Sequence, residues 1–351
     1  MKFRYSAWAK LLWLTITLYT AACTSQQESL VRRQFFAFGT LVEISLYEVQ
    51  QPLADQAFAA AEADFQRMHQ QWHAWHPSKV TDVNRRIAEG ELAMVPPELL
   101  SLITEAKHLS LLSNGLFNPA IGRLVRLWGF QQDNFSATQP PDPKIVYGLL
   151  RKRPSMEDLT IDDGTISSRN PAVQFDLGAV AKGFGIDRVI EHLRSLGVHN
   201  AIVNCGGDLR AIGRHGTRPW RIGIRSPRGA GVLASLELSE DESVFTSGDY
   251  ERFFESGGKR YHHILDPRTG YPAQHVTSVT VAHHDATTAD AAATALFVAG
   301  PDDWQSIARR MGVRYVMLVD RHGTVHMNPA MAARVQFEVD PLPQQEISKS
   351  L

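Results

Sequence analysis

Cysteine is almost absent: Cys23 and Cys205 are the only two in 351 residues. Cys23 sits in a polar stretch near the start and Cys205 in a Gly-Gly turn, so a structural disulfide between them is an unreasonable pairing. A single-signed charge is missing too. The formal net charge of −1 gives no basic field, and composition lends no support to nucleic-acid binding. The apolar run Leu11 to Tyr19 has nine residues, far short of the roughly 20 that span a bilayer. No Walker loop, no G-x-G-x-x-G and no H-E-x-x-H occurs, and there is no internal repeat. Among the fourteen histidines, the close pairs His73/His76, His262/His263 and His283/His284 lack the i, i+4 spacing of a helical zinc site. What remains is an ordinary globular composition, 44% hydrophobic and 21% charged, long enough to bury a large core.

The first 22 residues differ from the rest. Lys2, Arg4 and Lys10 precede the apolar run, and Ala21 and Ala22 precede Cys23, the pattern of a secretory signal with a cysteine placed for lipid attachment. Thr20 stands where the usual lipobox has Leu, so the alternative is an ordinary signal peptide cut after Ala22. Lipidation of Cys23 would anchor the chain and leave Cys205 as a small buried hydrophobe.

Residues 23–34 read as a polar tether, 35–340 as one catalytic domain and 341–351 as a loose, flexible tail. Phe38 to Leu46 alternates as a half-buried strand. Pro52 to Trp72 and Pro97 to Ser113 have helical apolar spacing with proline at the start. Gln131 to Pro154 is a polar, Pro-rich surface excursion. Short strands follow at Leu159–Ile161, Ile166–Ser167, Ala172–Phe175, Trp220–Ile224, Ala234–Leu238, Val279–Ala282 and Tyr315–Val319, with a helix over Asp303–Met311. The fold class is α+β: a single mixed α/β domain, read either as one body or as two lobes with the ligand cleft between them.

The chemistry concentrates in a few segments. Tyr261 to Pro272 packs His262, His263, Asp266 and Arg268 around a Pro/Gly turn. Asp290 and Thr294 lie four apart on one face of a helix start, where a carboxylate and a hydroxyl can grip a hard cation such as magnesium. Asp176 to Gly185 follows an apolar run and leads into a helix, so free N–H groups and Lys182 could meet a pyrophosphate. Each segment also has a bland reading as a turn or a tight strand–helix junction. Trp128 is better read as core than as a ligand-stacking ring.

Seven segments in order resemble the FAD:protein FMN transferase family, the ApbE-like flavin transferase lipoproteins. They are Phe38 to Thr40, Gly115 to Pro119 leading to Leu127 to Phe130, Asp176 to Gly185, Asn204 to Asp208, Thr246 to Tyr250, Tyr261 to Pro272 and Ala289 to Thr294, together covering most of residues 36–330. The resemblance implies Mg²⁺-dependent transfer of FMN from FAD to a threonine hydroxyl of a target protein, with AMP released. It puts the metal on Asp290, Thr294 and the backbone carbonyl of Ala179. Flavin and phosphate contacts fall on Phe38, Trp75, Leu116, Phe117, Asn118, Asp176, Lys182 and His263, with His263 as the reasonable general base. Two positions depart from the family pattern: Asn118 replaces the usual Asp, and Trp72 to Pro77 departs from the usual Tyr- and Asp-containing version. Asn118 can donate to a flavin carbonyl but cannot act as a base. The implied partners are FAD and threonine-bearing acceptor subunits of membrane redox complexes, such as the sodium-translocating NADH:quinone oxidoreductase type. The implied place is the periplasmic face of the bacterial inner membrane, lipid-anchored. Rival readings are a metal-dependent FAD pyrophosphatase and a non-catalytic flavin-binding lipoprotein.

Overall fold

The structure, a computed structural model, describes residues 30–132 and 137–351. The signal segment and Cys23 lie outside the described residues. The main layer is a nine-stranded sheet whose spatial order is β1 (Leu30–Ala37), β2 (Thr40–Tyr47), β6 (Ala201–Cys205), β7 (Asp208–Ile212), β10 (Asp241–Gly248), β13 (Val276–His283), β14 (Tyr315–Asp320), β15 (Val325–Met327) and β17 (Gln345–Ile347). Every pairing is antiparallel except the last, β15 with β17. Smaller sheets flank it. One joins β3 (Ala93–Met94), β4 (Leu159–Asp162) and β5 (Thr165–Ser168), another β8 (Arg221–Arg225), β9 (Val232–Glu237) and β16 (Gln336–Phe337). The hairpin β11 (Phe253–Ser256) and β12 (Lys259–His262) stands apart.

Helices cover one face of the main sheet. α1 (Gln51–Trp72) buries Ala54, Ala57, Phe58, Ala61, Phe65, Met68 and Trp72, the stripe its apolar spacing predicts. α2 (Lys79–Glu89) starts at a Ser78–Thr81 capping box and ends on Gly90 in the left-handed region; nothing in the sequence reading anticipated it. α3 (Pro97–Leu112) and the short α4 (Gly122–Leu127) and α5 (Pro143–Leu150) follow. α6 (Ala181–Ser195) and α7 (Ala286–Arg310) cross tightly above the sheet. α7 runs unbroken to Gly300, whose φ of 76° breaks the helix just before Pro301, and a second helical stretch follows to Arg310, the separate helix expected over Asp303–Met311.

The crossing needs glycine. A Cβ on Gly183 would lie 2.3 Å from the Ala286 carbonyl oxygen and 2.9 Å from the Asp290 Cβ. Asp187 fastens the same contact: its carboxylate accepts the Ala286 and Thr287 N–H groups at 3.1 and 2.9 Å and the Thr287 hydroxyl at 2.6 Å. It also pairs with Arg210 on β7, so one buried carboxylate joins two helices to the sheet. The principal core lies between sheet and helices, with Ile44, Phe65, Met68, Phe175, Val203, Phe245, Val279 and Phe297 all sealed from water. A separate cluster of Leu124, Trp128, Phe130, Val146, Phe254 and Leu265 supports the Tyr261–Pro272 turn, and the Trp128 indole donates to the Gly270 carbonyl at 2.8 Å. Trp128 is core, as its reading proposed.

Three expectations need correction. Leu30–Gln34, read as tether, belongs to β1, because Val31 and Phe35 have cross-strand partners on β2 to cover them. The 341–351 tail is not wholly loose: Gln345–Ile347 adds a parallel strand to β15, satisfying backbone groups the short segment could not satisfy alone. Ala172–Phe175 is no strand beyond a single bridge from Gln174 to Ile121. The Phe175 backbone is instead paired by the buried Asn84 side chain, at 2.6 and 3.0 Å.

Candidate active site

The site begins where β6 ends and α6 starts. Asp176 forms a side-chain turn onto the Gly178 N–H (3.0 Å) and accepts the Gln131 amide (2.7 Å), fixing the loop that delivers α6. Lys182, in the first turn of α6, ion-pairs with Asp208 at the start of β7, and Asp208 also accepts the Thr246 N–H of β10 at 2.9 Å. Burial works against the Lys182 charge, but the carboxylates of Asp208 and Asp290 more than offset it and raise its pKa above the ordinary lysine value. About 29% of the Lys182 side chain stays open, and the raised pKa keeps its ammonium charged.

Asp290 is 5% exposed, on the face of α7 turned to α6, and accepts the Gly183 N–H at 2.9 Å. Burial pushes its pKa up to about 7, with Lys182 pulling the other way. Gly183 is in the first turn of α6, where an N–H has no intrahelical acceptor, so Asp290 caps that helix end. Thr294, one turn beyond Asp290, lies 3.3 Å from the Ser247 hydroxyl of β10. The Asp290 carboxylate, the Thr294 hydroxyl and the Ala179 carbonyl are hard oxygen donors, the kind a small divalent cation such as Mg²⁺ prefers. Among the described residues no cluster of three or more His, Cys, Asp or Glu forms. Cys205 nearby is sealed, and burial raises its thiol well above the usual range, so it is inert.

The β1–β2 turn forms the other wall. Phe38 holds φ 51°, a left-handed conformation that costs a non-glycine residue roughly 1–2 kcal/mol, and Gly39 follows at φ 71°. Behind the turn, a Cβ on Gly206 would meet the Thr40 hydroxyl at 2.2 Å, which packs the β6–β7 turn against it. Phe38 stacks on Trp72 (centroids 6.0 Å, planes 10° apart), and a Cβ on Gly39 would lie 3.2 Å from the Arg252 guanidinium. The Arg252 carbonyl in turn accepts the His263 N–H at 3.1 Å.

Among the described residues two buried side-chain polar atoms lack a hydrogen-bond partner: the Trp72 indole N–H and the His263 Nδ1. They flank this one turn. Unpaired buried donors and acceptors are costly. Burial, with Arg252 and Lys182 adding positive charge nearby, lowers the His263 pKa to about 3, so its ring is neutral at ordinary pH. His262 bonds the Ala273 carbonyl at 2.6 Å, a structural role.

Not every expected contact assembles here. Asp290, Thr294, Ala179, Lys182, His263, Phe38 and Asp176 lie on the elements just described. Trp75 packs on His73 in the α1–α2 loop, at 4.4 Å between rings, and it is Trp72 that meets Phe38. Leu116 and Phe117 are core residues, so their side chains do not face a ligand. Asn118 is spent on backbone: it donates to Pro154 O at 3.0 Å and accepts the Ala120 N–H at 3.1 Å. Conversely, Asp208, Ser247 and Gln131 carry no ligand-site role in the sequence reading. The signals were the Gly206-Gly207-Asp208 turn and the Thr246-Ser247 pair, but only the strand order brings them to Lys182 and Thr294.

Comparison with known proteins gives a consistent answer. The ApbE family model matches residues 38–317. An FAD:protein FMN transferase of Rhodobacter capsulatus is 42% identical over 310 residues; these are 87% of this chain but 58% of that relative, so the chain spans little more than half its length. One from Vibrio cholerae is 34% identical over 280 residues, 77% of this chain and 82% of that protein. Among solved structures, the ApbE protein of Thermotoga maritima superposes with a TM-score of 0.80 at 34% identity, covering 89% of this chain and all of that one. An apo flavinyl transferase ApbE of Pseudomonas stutzeri gives 0.78 at 29%, covering 88% and 98%.

Proposed function

The chain belongs to the ApbE family, and on that premise we propose that it transfers FMN from FAD to a threonine hydroxyl of an acceptor protein, with Mg²⁺ as cofactor and AMP as the second product. The observation that supports this most is the meeting of Lys182 with the Asp208 and Asp290 carboxylates at the start of α6. A cationic side chain beside a hard-oxygen pocket at a helix N-terminus suits a pyrophosphate. A bound Mg²⁺ would supply charge neutralisation on the phosphates there.

This chain's own residues would divide the work. Lys182 offsets charge on the pyrophosphate and is held by Asp208 in reach of it. The flavin side stacks at the Phe38 turn, where the Trp72 N–H and the His263 Nδ1 gain partners. The threonine oxygen bonds to the FMN phosphorus as the bond from that phosphorus to the bridging oxygen breaks, and the bridging oxygen leaves on AMP. The hydroxyl proton passes to the neutral His263 ring, the form able to receive it. Asp176, held by Gln131 and Gly178, orients the loop rather than acting as a base.

Export by residues 1–22, a lipid anchor on Cys23 and a working position on the periplasmic face of the inner membrane complete the proposal. Membrane redox subunits are the acceptors. Incubating the full chain with FAD, Mg²⁺ and a threonine-bearing acceptor tests it by in-gel flavin fluorescence and AMP release. AMP without labelled acceptor would make the protein an FAD pyrophosphatase, and neither product would leave a flavin binder.

A further inference from the structure

A cleft of about 650 Å³ opens beside α2, α4 and α5, and a second of about 370 Å³ adjoins it, the two sharing Ala88 and Arg123. Arg85, Arg123, Arg126 and Lys152 line the pair, and among the described residues no Asp or Glu does. On a chain of net charge −1 this concentration of cations is a local field. Only part of it is neutralised: Arg85 pairs with Glu89 at the surface, and Arg123 donates to the Pro171 carbonyl at 2.6 Å.

The cleft is tied to the site described above. Gln174 lines its floor and Asp176 is two residues on, a Cα separation of at most about 7 Å. Arg126 reaches the Gln131 oxygen at 3.4 Å, and the other end of that amide holds Asp176 at 2.7 Å. We propose that this basic double cleft docks an acidic segment of the acceptor protein, placing its threonine at the site; the assignment rests on the flavin-transfer reading.

Two observations select an acidic peptide over other anions. The cations are spread over two joined depressions, which suits several carboxylates in series along an extended chain, not one phosphate. No aromatic side chain lines either depression, so a nucleotide base or a nucleic-acid strand finds no stacking platform. Charge complementarity of this kind acts on encounter and on the affinity for the partner, and it weakens with salt.

The test uses the full chain and two fluorescent peptides with the same central threonine, one flanked by glutamates and one by lysines. The probe variant is Arg85→Glu with Lys152→Glu, neither residue having a role in the site itself; a thermal melt matching wild type establishes its fold. Anisotropy in 50 mM salt should show the acidic peptide binding wild type at least tenfold more tightly than the basic one. The variant should lose that preference, and 0.5 M salt should abolish it in wild type. KM for FAD should be unchanged by the variant. Equal binding of both peptides, an unaffected variant, or a rise in KM for FAD in place of weaker peptide binding would each overturn the proposal. Because anisotropy needs no turnover, absence of flavin transfer would count against the function proposed above without touching this result.

Discussion

At the scale of single residues, burial changes what two side chains can do. His263 keeps its unpartnered Nδ1, but with its pKa lowered to about 3 the ring does not titrate between pH 5 and 8. Activity should therefore show no rise through pH 6–7 that His263→Ala removes, contrary to what an ordinary histidine base near 6.5 would give. His263→Ala should still slow the chemical step by roughly 10²–10⁴-fold, with KM for FAD changed by much less. Parallel losses in FAD affinity and turnover would make the ring a flavin ligand instead. Asp290 differs from the exposed cleft carboxylate its motif suggests. It is buried and holds the Gly183 N–H, so Asp290→Ala should abolish metal-dependent transfer and also cost about 1–3 kcal/mol of stability. Wild-type labelling rates for the variant without excess metal would sink the metal assignment.

At the scale of elements, the α6–α7 crossing carries the site. Lys182 and Asp290 face each other only because Gly183 lets the α7 backbone approach within contact of α6. Gly183→Ala inserts a methyl 2.3 Å from a backbone oxygen, which no side-chain rotation can relieve. We expect a loss of about 3 kcal/mol, read as a lower Tm, together with weaker metal dependence. A variant with wild-type Tm would mean that the helices can part at little cost. The glycine at position 183 was visible within Asp176 to Gly185, but its partner at Ala286 lies 103 residues on. Which helix presses on it depends on α7 crossing α6, which local spacing does not encode.

At the scale of the whole molecule, buried ionisable groups set an acid limit. His262 and His263 have folded pKa values lowered to about 4 and about 3, chiefly by burial, against 6.5 unfolded. The unfolded chain gains those protons first, so their contribution is complete above pH 6.5 and is lost as pH falls toward 4. Asp290, raised to about 7, acts in the opposite sense over the same window. Two imidazoles against one carboxyl leave a net loss of up to about 1.4 kcal/mol per pH unit. Without added metal, Tm should drop by a few degrees between pH 6.5 and 5; a Tm that holds or rises would refute this balance. Membrane attachment belongs to this scale as well. Among the described residues no helix is long and apolar enough to cross a membrane. Cys23→Ser should move the protein from washed membranes into the soluble periplasmic fraction, and retention would point to an uncleaved signal or a bound partner.

The sequence by itself determined the α+β class, the long amphipathic α1 and α3, the turn chemistry at Asp266–Gly270, and the order of motifs that identifies the family. These are readable because apolar periodicity and Gly/Pro placement act within a few residues of where they stand. It also singled out Lys182, Asp290, Thr294 and His263 as candidates. Only the tertiary structure decided that Asp208 is the Lys182 partner, that Trp72 and not Trp75 meets Phe38, and that Asn118, Leu116 and Phe117 hold the fold. It alone collected Arg85, Arg123, Arg126 and Lys152 into one cleft. Those outcomes depend on strand order and helix crossing, which bring together residues 26 to 107 positions apart. They depend as well on desolvation, which no residue type carries until its neighbours close around it.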